Sequence, residues 1–237
     1  MDAFENKLKS ISAAERLRDL WPMFCDYYRE HGATMISYHA VSLDGVRLGI
    51  KAEGFPEKWV NRYISEGLED IDPIPKQSAT RSEPFIWSDA AKLNNLTDEE
   101  RWYLSELQRE VPNDGIAISV YGNGFQNAFI GVGFANDPRR FSRHQLFLFH
   151  MVAEAAHIRF CTIVNERRKK AKLSKRELEI LHWVAKGKSN SVIATILALS
   201  PNTIDAHLRK IYAKLSVSDR TSAAIHGVGR GLIYYAE

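Results

Sequence analysis

One carboxylate stands out by its neighbours. Phe55, Trp59 and Tyr63 recur at four-residue spacing, which puts three aromatic rings on one helical face, and Asp72 follows with Pro73 and Pro75 directly behind it. An aromatic stripe at helical spacing is ordinarily core. The acid changes the reading, because a buried carboxylate is costly unless donors meet it. Trp87 and Gly115 lie farther along the same half of the chain. A second constellation sits near the C-terminus. At about 100° per residue, Ile204, Leu208, Ile211 and Leu215 fall within roughly 60° of one another and make a core stripe. The opposite face carries Asn202, Ala206, Arg209 and Ala213, flanked by Asp205 and Lys210. Small residues beside one Asn and one Arg suit close approach to a DNA major groove. There Asn pairs with adenine, Arg with guanine, and Ala leaves room for a thymine methyl. Lys186, Lys188, Lys210, Lys214 and Arg220 are candidate phosphate contacts.

The elements that must position these residues differ between the two halves. Residues 2–31 read as a helix, with Leu17, Leu20, Phe24 and Tyr27/Tyr28 at three- and four-residue steps. Ile36–Val41 and Val46–Ala52 read as strands around the turn signal Asp44-Gly45. Pro56 starts a helix that Asp72-Pro73 and Pro75 interrupt. Phe85–Trp87 reads as a short strand, and Thr97 with Glu100 forms a capping box for a helix to Gln108. Gly115–Tyr121 and Ala128–Ala135 read as strands joined by a turn at Gly122–Gly124, and Ser142–Val164 as a long amphipathic helix. Helices flanking hairpin-rich strands predict an α+β domain, an antiparallel sheet sandwiched by helices. From Ser174 onward the pattern is all helical: four helices, two of them joined by the tight turn Leu199-Ser200-Pro201, which is a helix-turn-helix.

The charge follows the same division. The 237 residues carry a net +3, but residues 161–237 hold 14 Lys+Arg against 6 Asp+Glu, a balance of +8, which leaves −5 for residues 1–160. A basic tail piece behind an acidic body predicts separate partners, nucleic acid for the former. Asn165–Lys172, with five Lys/Arg in eight residues, is the expected linker. The expected organisation is thus a ligand domain over 1–164, a linker over 165–172 and a DNA-binding domain over 173–237.

Several classes are excluded. Cys25 and Cys161 cannot build a disulfide framework or a zinc ribbon. The charged N-terminus lacks a signal-peptide core, and the apolar run Gln145–Ala153 is shorter than the ~20 residues of a membrane span. A cytoplasmic protein is expected. Gly187-Lys188-Ser189 ends like a P-loop, but His182 stands where a Gly is required. Gly131-Val132-Gly133 continues to Asn136 where a dinucleotide fingerprint needs a third Gly, and no G-x-S-x-G is present. His150, Glu154 and His157 share a helical face and imitate metal ligands, on a helix whose apolar content favours packing. No catalytic set, metal or cofactor is expected.

The C-terminal stretch LSKRELEILHWVAKGKSNSVIATILALSPNTIDAHLRKIYAKLSV resembles the LuxR-type DNA-binding domain. The match runs through Glu177, Leu181, Gly187, Ser189-Asn190, Ile193-Ala194, Thr203, His207, Lys214 and Leu215, with Val192 departing from a common Glu. The resemblance puts Asp205, Ala206 and Arg209 at base-reading positions, so the expected DNA-facing set is Asn202, Thr203, Asp205, Ala206, Arg209 and Lys210. Trp59, Tyr63, Asp72, Pro73, Trp87 and Gly115 in turn resemble the signature of the autoinducer-binding domain of LuxR-family quorum-sensing receptors. That resemblance implies an N-acyl-homoserine lactone as signal and a homodimer on operator DNA, for which the long helix Ser142–Val164 is the candidate contact. It also implies ligand-binding roles for Phe55, Trp59, Tyr63, Asp72, Trp87, Gly115 and Ile130. Trp59 would donate to the lactone carbonyl, Asp72 would accept the ligand amide, and Tyr63 and Trp87 would wall the head group. Leu48, Ile50, Phe129 and Ile130 would line the tail. Phe55 stands where many members have Tyr, and Asn127–Ala135 lacks Ser or Thr, so acyl chains without a 3-oxo group are the expected preference. A LuxR-type regulator with a different ligand, or none, is the alternative.

Overall fold

The computed structural model describes residues 2–41, 47–122, 126–167 and 173–234, and the expected hairpin turns at 44–45 and 122–124 and most of the expected linker lie wholly or partly outside them. The chain forms two compact units, divided near Ile163. The first is an α+β unit with a five-stranded antiparallel sheet in the order β2-β1-β5-β4-β3, and the second is all helical. The strands are β1 Ala33–Val41, β2 Arg47–Glu53, β3 Phe85–Ile86, β4 Gly115–Gly122 and β5 Gln126–Phe134.

Helices cover both faces of the sheet. On one face lie α1 (Asp2–Ala13), α2 (Leu17–Arg29) and α6 (Arg143–Arg167), and on the other α3 (Glu57–Ser65), α4 (Pro73–Ser78) and α5 (Asp98–Glu110). Two-residue alternation along the strands sorts the side chains. Ile36 and Ala40 of β1, Ile116, Ile118 and Val120 of β4, and Ala128, Ile130, Val132 and Phe134 of β5 pack with Leu20, Phe24, Tyr28, Phe149 and Val152 in the first core. Each fully buried large apolar side chain there contributes roughly 1.5–3 kcal/mol. Met35, Ala117 and Phe129 join Trp59, Tyr63, Trp87 and Tyr103 in the second.

The expected single helix over 2–31 is two. Between them the Ala14 carbonyl accepts the Arg159 guanidinium of α6, a tertiary bond that takes the place of the i→i+4 bond a continuous helix would make. Asp72-Pro73 both ends one helix and begins another, for Asp72 caps α4 and Pro73 takes its first turn, where no N–H is needed. The Thr97–Glu100 capping box forms as expected. Helix α6 is long and apolar enough to cross a membrane by length and composition, a property its short central apolar run does not suggest. Its Phe149, Val152, Ala153 and Ala156 side is packed into the sheet.

In the second unit, α7 (Lys175–Ala185), α8 (Asn190–Leu197), α9 (Pro201–Leu215) and α10 (Arg220–Gly229) surround Ile180, Leu181, Ile193, Ile204, Leu208, Ile211 and Leu215. Ser174 and Glu177 form the expected capping box, and Ser189 and Ser200 cap α8 and α9. The turn between α8 and α9 places Ala198 in the left-handed region, φ 52°. That conformation is costly for a residue with a Cβ and marks a turn held by its surroundings.

Candidate functional site

The second core opens into a pocket of about 60 Å³ lined by α3, α4, α5 and the sheet. Helix α3 presents Trp59 and Tyr63 on its inner face, as the four-residue spacing requires, and Phe55 precedes it. Asp72 is 4% exposed. One oxygen, Oδ1, accepts the Ile74 backbone N–H at 2.9 Å, and the other, Oδ2, accepts the hydroxyls of Tyr103 at 2.9 Å and Tyr63 at 3.2 Å. A carboxylate offers about four lone-pair sites, so beyond these three bonds among the described residues one remains for a further donor. Burial pushes the Asp72 carboxyl up to about 6 despite these three bonds and the Lys76 charge, which act in the opposite direction.

Trp87 is buried against the same pocket, and its indole Nε1 has no hydrogen-bond partner among the described residues. Three glycines shape its berth. A Cβ at Gly115 would lie 2.7 Å from the Trp87 ring and 2.4 Å from the Val132 carbonyl oxygen, and Cβ atoms at Gly131 and Gly133 would each lie 3.2 Å from the ring. Gly115 therefore acts behind Trp87 rather than among the residues lining the pocket. The rest of the wall is aromatic and apolar. Phe55 packs on Trp87 with ring centroids 6.1 Å apart, and His39 packs edge-on against both Tyr63 and Phe129.

Five of the expected ligand residues, Phe55, Trp59, Tyr63, Asp72 and Trp87, thus surround one space, with Ile50 and Phe129 beside them. Ile130 does not belong there. It follows Phe129 in β5, so alternation turns it to the first core, where it is fully buried among α2 and α6. The Leu48 side chain lies outside the described residues. Sequence reasoning missed Tyr103, His39 and Ser37. Ser37 is buried on β1 opposite Gly131, where its hydroxyl would lie 2.8 Å from an added Cβ. Their signal is weak: each sits on an expected element, but only strand pairing and helix docking bring them to the pocket that Asp72 lines.

The imitated metal site is dispersed. His157 is buried, its Nδ1 2.7 Å from the Tyr38 hydroxyl and its Nε2 2.6 Å from the Gln126 carbonyl oxygen, and burial holds its pKa below the usual histidine value. Glu154 instead accepts the Tyr121 backbone N–H. No group of three potential metal ligands occurs among the described residues.

In the second unit, α9 exposes Asn202, Ala206, Arg209, Lys210 and Ala213, opposite its buried stripe. Arg209 donates to Asp205 across one turn at 2.9 Å, so Asp205 holds the guanidinium at the outer face. The Thr203 hydroxyl lies 2.8 Å from that of Ser200, which ties it to the helix cap. Two of the candidate phosphate contacts are otherwise engaged. Lys214 donates to both oxygens of buried Glu177 at 2.9 and 2.7 Å, and Arg220 donates to the Asn190 side chain and the Lys188 carbonyl. Lys186 and Lys188 lie in the connection between α7 and α8.

Comparison with known proteins adds to this geometry. The family model described as Autoinducer binding domain matches residues 16–160, more than half of the chain, and that of bacterial regulatory proteins, luxR family, matches residues 171–226. The chain is 32% identical to a putative HTH-type transcriptional regulator, y4qH, of Sinorhizobium fredii over 94% of its own length and 70% of the relative's. It is 26% identical to the transcriptional activator protein LuxR of Aliivibrio fischeri over 88% and 82%. Its fold is similar to that of SdiA in complex with octanoyl-rac-glycerol, with a TM-score of 0.75 at 19% identity, covering 100% of this chain and 97% of that one.

Proposed function

The chain belongs to the luxR family of bacterial regulatory proteins, a ligand-responsive transcription regulator rather than an enzyme, and from that premise we propose that its signal is an N-acyl-homoserine lactone bound around Asp72. The observation that carries this reading is the pairing of opposites in one largely apolar pocket. Among the described residues Asp72 has one acceptor site left, and Trp87 Nε1 is a buried donor without a partner. A ligand with an amide N–H and a carbonyl satisfies both, with the Trp59 indole N–H as a further donor. At about 60 Å³ the cavity is small beside ordinary ligand pockets, so the acyl chain must displace part of the half-exposed wall. Ligand binding then completes a core and stabilises the folded unit.

The ligand domain spans 1–164 and the DNA-binding domain 173–237 in this reading, with 165–172 as linker. Helix α6 exposes Phe147, Met151 and Ile158 at 58%, 37% and 47%, a stripe along one face that fits a second copy of the chain. A dimer would present two α9 helices, with Asn202, Ala206 and Arg209 toward bases and Lys210 toward phosphate, to a two-fold operator in the cytoplasm. The hydroxyl of Ser37 supplies the group that Asn127–Ala135 lacks, which removes the ground for expecting a bias against 3-oxo chains.

A second reading keeps the pocket and changes the head group. Phe55 offers no hydroxyl to an acyl carbonyl, and the hydroxyls of an acylglycerol would donate to Asp72 as an amide does. Calorimetric titration of the full chain with N-octanoyl-homoserine lactone and with octanoyl-rac-glycerol tests both. Tighter binding of the lactone, weakened by Trp59→Phe, is the expected result. Tighter binding of the glycerol ester would favour the second reading, and neither ligand binding would overturn the pocket assignment.

A further inference from the structure

The larger cavity of the first unit lies on the opposite face of the sheet. It is a slot of about 360 Å³ between α2, α6 and the strands β1 and β2. Its depth is made by Leu20, Phe24 and Ala156, all at least nine-tenths buried. Register separates it from the Asp72 pocket. Tyr38 and Lys51 are cross-strand partners facing the slot, and their neighbours His39 and Ile50, also partners, face the pocket. Ile50, on the edge strand, touches both spaces.

The mouth is positive. Arg18 and Lys51 are exposed at the rim. Lys51 Nζ lies 4.6 Å over the Trp21 ring and has no carboxylate within ion-pair distance among the described residues. Arg18 has only Asp19, at 3.8 Å. The nearby Glu53 is taken by the Trp21 indole and by Arg29. Arg18 stands in the first turn of α2, beside Asp19.

An apolar slot of this volume with two cations at its mouth matches an amphiphile with a single apolar chain and an anionic head. We propose that the slot binds a medium-chain carboxylate, chain inward and carboxylate at Arg18 and Lys51, as a second ligand site independent of the Asp72 pocket. The stripe of Phe147, Met151 and Ile158 lies on the far side of α6 from Ala156 and Phe160, so a dimer through that stripe leaves the slot unobstructed.

Equilibrium dialysis of the full chain against decanoate at pH 8, below the concentration at which decanoate forms micelles, tests this. One decanoate per chain is expected, with decanol binding at least tenfold more weakly. The double variant R18E/K51E changes only exposed side chains, and it should weaken decanoate at least tenfold and leave decanol unchanged. Trp59→Phe, in the other pocket, should leave decanoate binding as it is. No saturable binding would overturn the proposal, as would equal binding of decanol. So would an affinity that falls with Trp59→Phe and ignores R18E/K51E, which would place the fatty acid in the Asp72 pocket.

Discussion

Asp72→Asn separates ligand chemistry from fold stability, because the structure loads the two in opposite directions. Burial lifts the Asp72 carboxyl from 3.8 to about 6 in the folded chain. A shift of about two units corresponds to roughly 3 kcal/mol between the charged and neutral forms. The folded pKa is the raised one, so that stability is fully present below about 3.8 and lost as pH rises through about 6. At pH 8 the ligand-free protein carries the whole penalty. Asn is neutral, of similar volume, and a good N-cap, so it keeps the bond from Ile74 that starts α4. Urea unfolding of the ligand-free chain should therefore find Asp72→Asn more stable than wild type by about 1–3 kcal/mol at pH 8 and nearly equal at pH 4. Affinity for the lactone should move the other way. A charge-assisted bond to the ligand N–H is worth about 1.5–3 kcal/mol, so its loss weakens binding roughly ten- to a hundredfold. Wild-type affinity should also fall as pH drops below about 6, and that of the variant should not. A variant equally destabilised at both pH values, with ligand affinity intact, would refute the reasoning and reduce Asp72 to a helix cap.

Gly115→Ala should cost about 1–3 kcal/mol and weaken ligand binding by displacing Trp87, read by thermal unfolding and titration, since its Cβ would lie 2.4 Å from a backbone oxygen and 2.7 Å from the indole. Ser37→Ala should lower affinity for a 3-oxo lactone relative to its unsubstituted analogue by about 0.5–1.5 kcal/mol in paired titrations; an unchanged ratio would remove Ser37 from tail recognition. Desolvation opposes ionisation of Glu177, but Lys214 and Ser174 outweigh it and hold its carboxyl below the usual range. The stability they supply is present above the ordinary glutamate pKa and lost as pH falls through the depressed one, and Lys214→Ala, which leaves the Ser174 bonds in place, should weaken that pH dependence and cost about 1.5–3 kcal/mol at pH 7 in urea unfolding. On operator DNA, Arg209→Ala should cost about 1–3 kcal/mol and relax discrimination at one base pair, whereas Lys210→Ala should weaken all sequences alike and lower the salt slope by about one, both read from salt-dependent binding isotherms.

Local signals were legible wherever the chain's own chemistry decides the outcome. Ser174 with Glu177 and Thr97 with Glu100 are capping boxes in the sequence and in the structure because both partners lie within one turn. The stripe Ile204, Leu208, Ile211 and Leu215 is buried because helical periodicity leaves it no other face. Break points were harder. The chain between α1 and α2 carries no Gly or Pro, and at the interruption the Ala14 carbonyl accepts Arg159, distant in sequence.

The sequence by itself determined the two-part division, the helix-turn-helix with Arg209 and Asn202 on its outer face, and the aromatic stripe ahead of Asp72, since these rest on charge, periodicity and spacing within a few residues. Tertiary structure alone decided what surrounds that acid. Strand alternation sends Ile130 to the wrong side of the sheet and Phe129 to the right one, and β1 pairing supplies Ser37 and His39. Docking of α5 places the Tyr103 hydroxyl on Asp72. The physical reason is that a carboxylate's remaining acceptor capacity depends on which distant donors reach it, and no local pattern encodes that count.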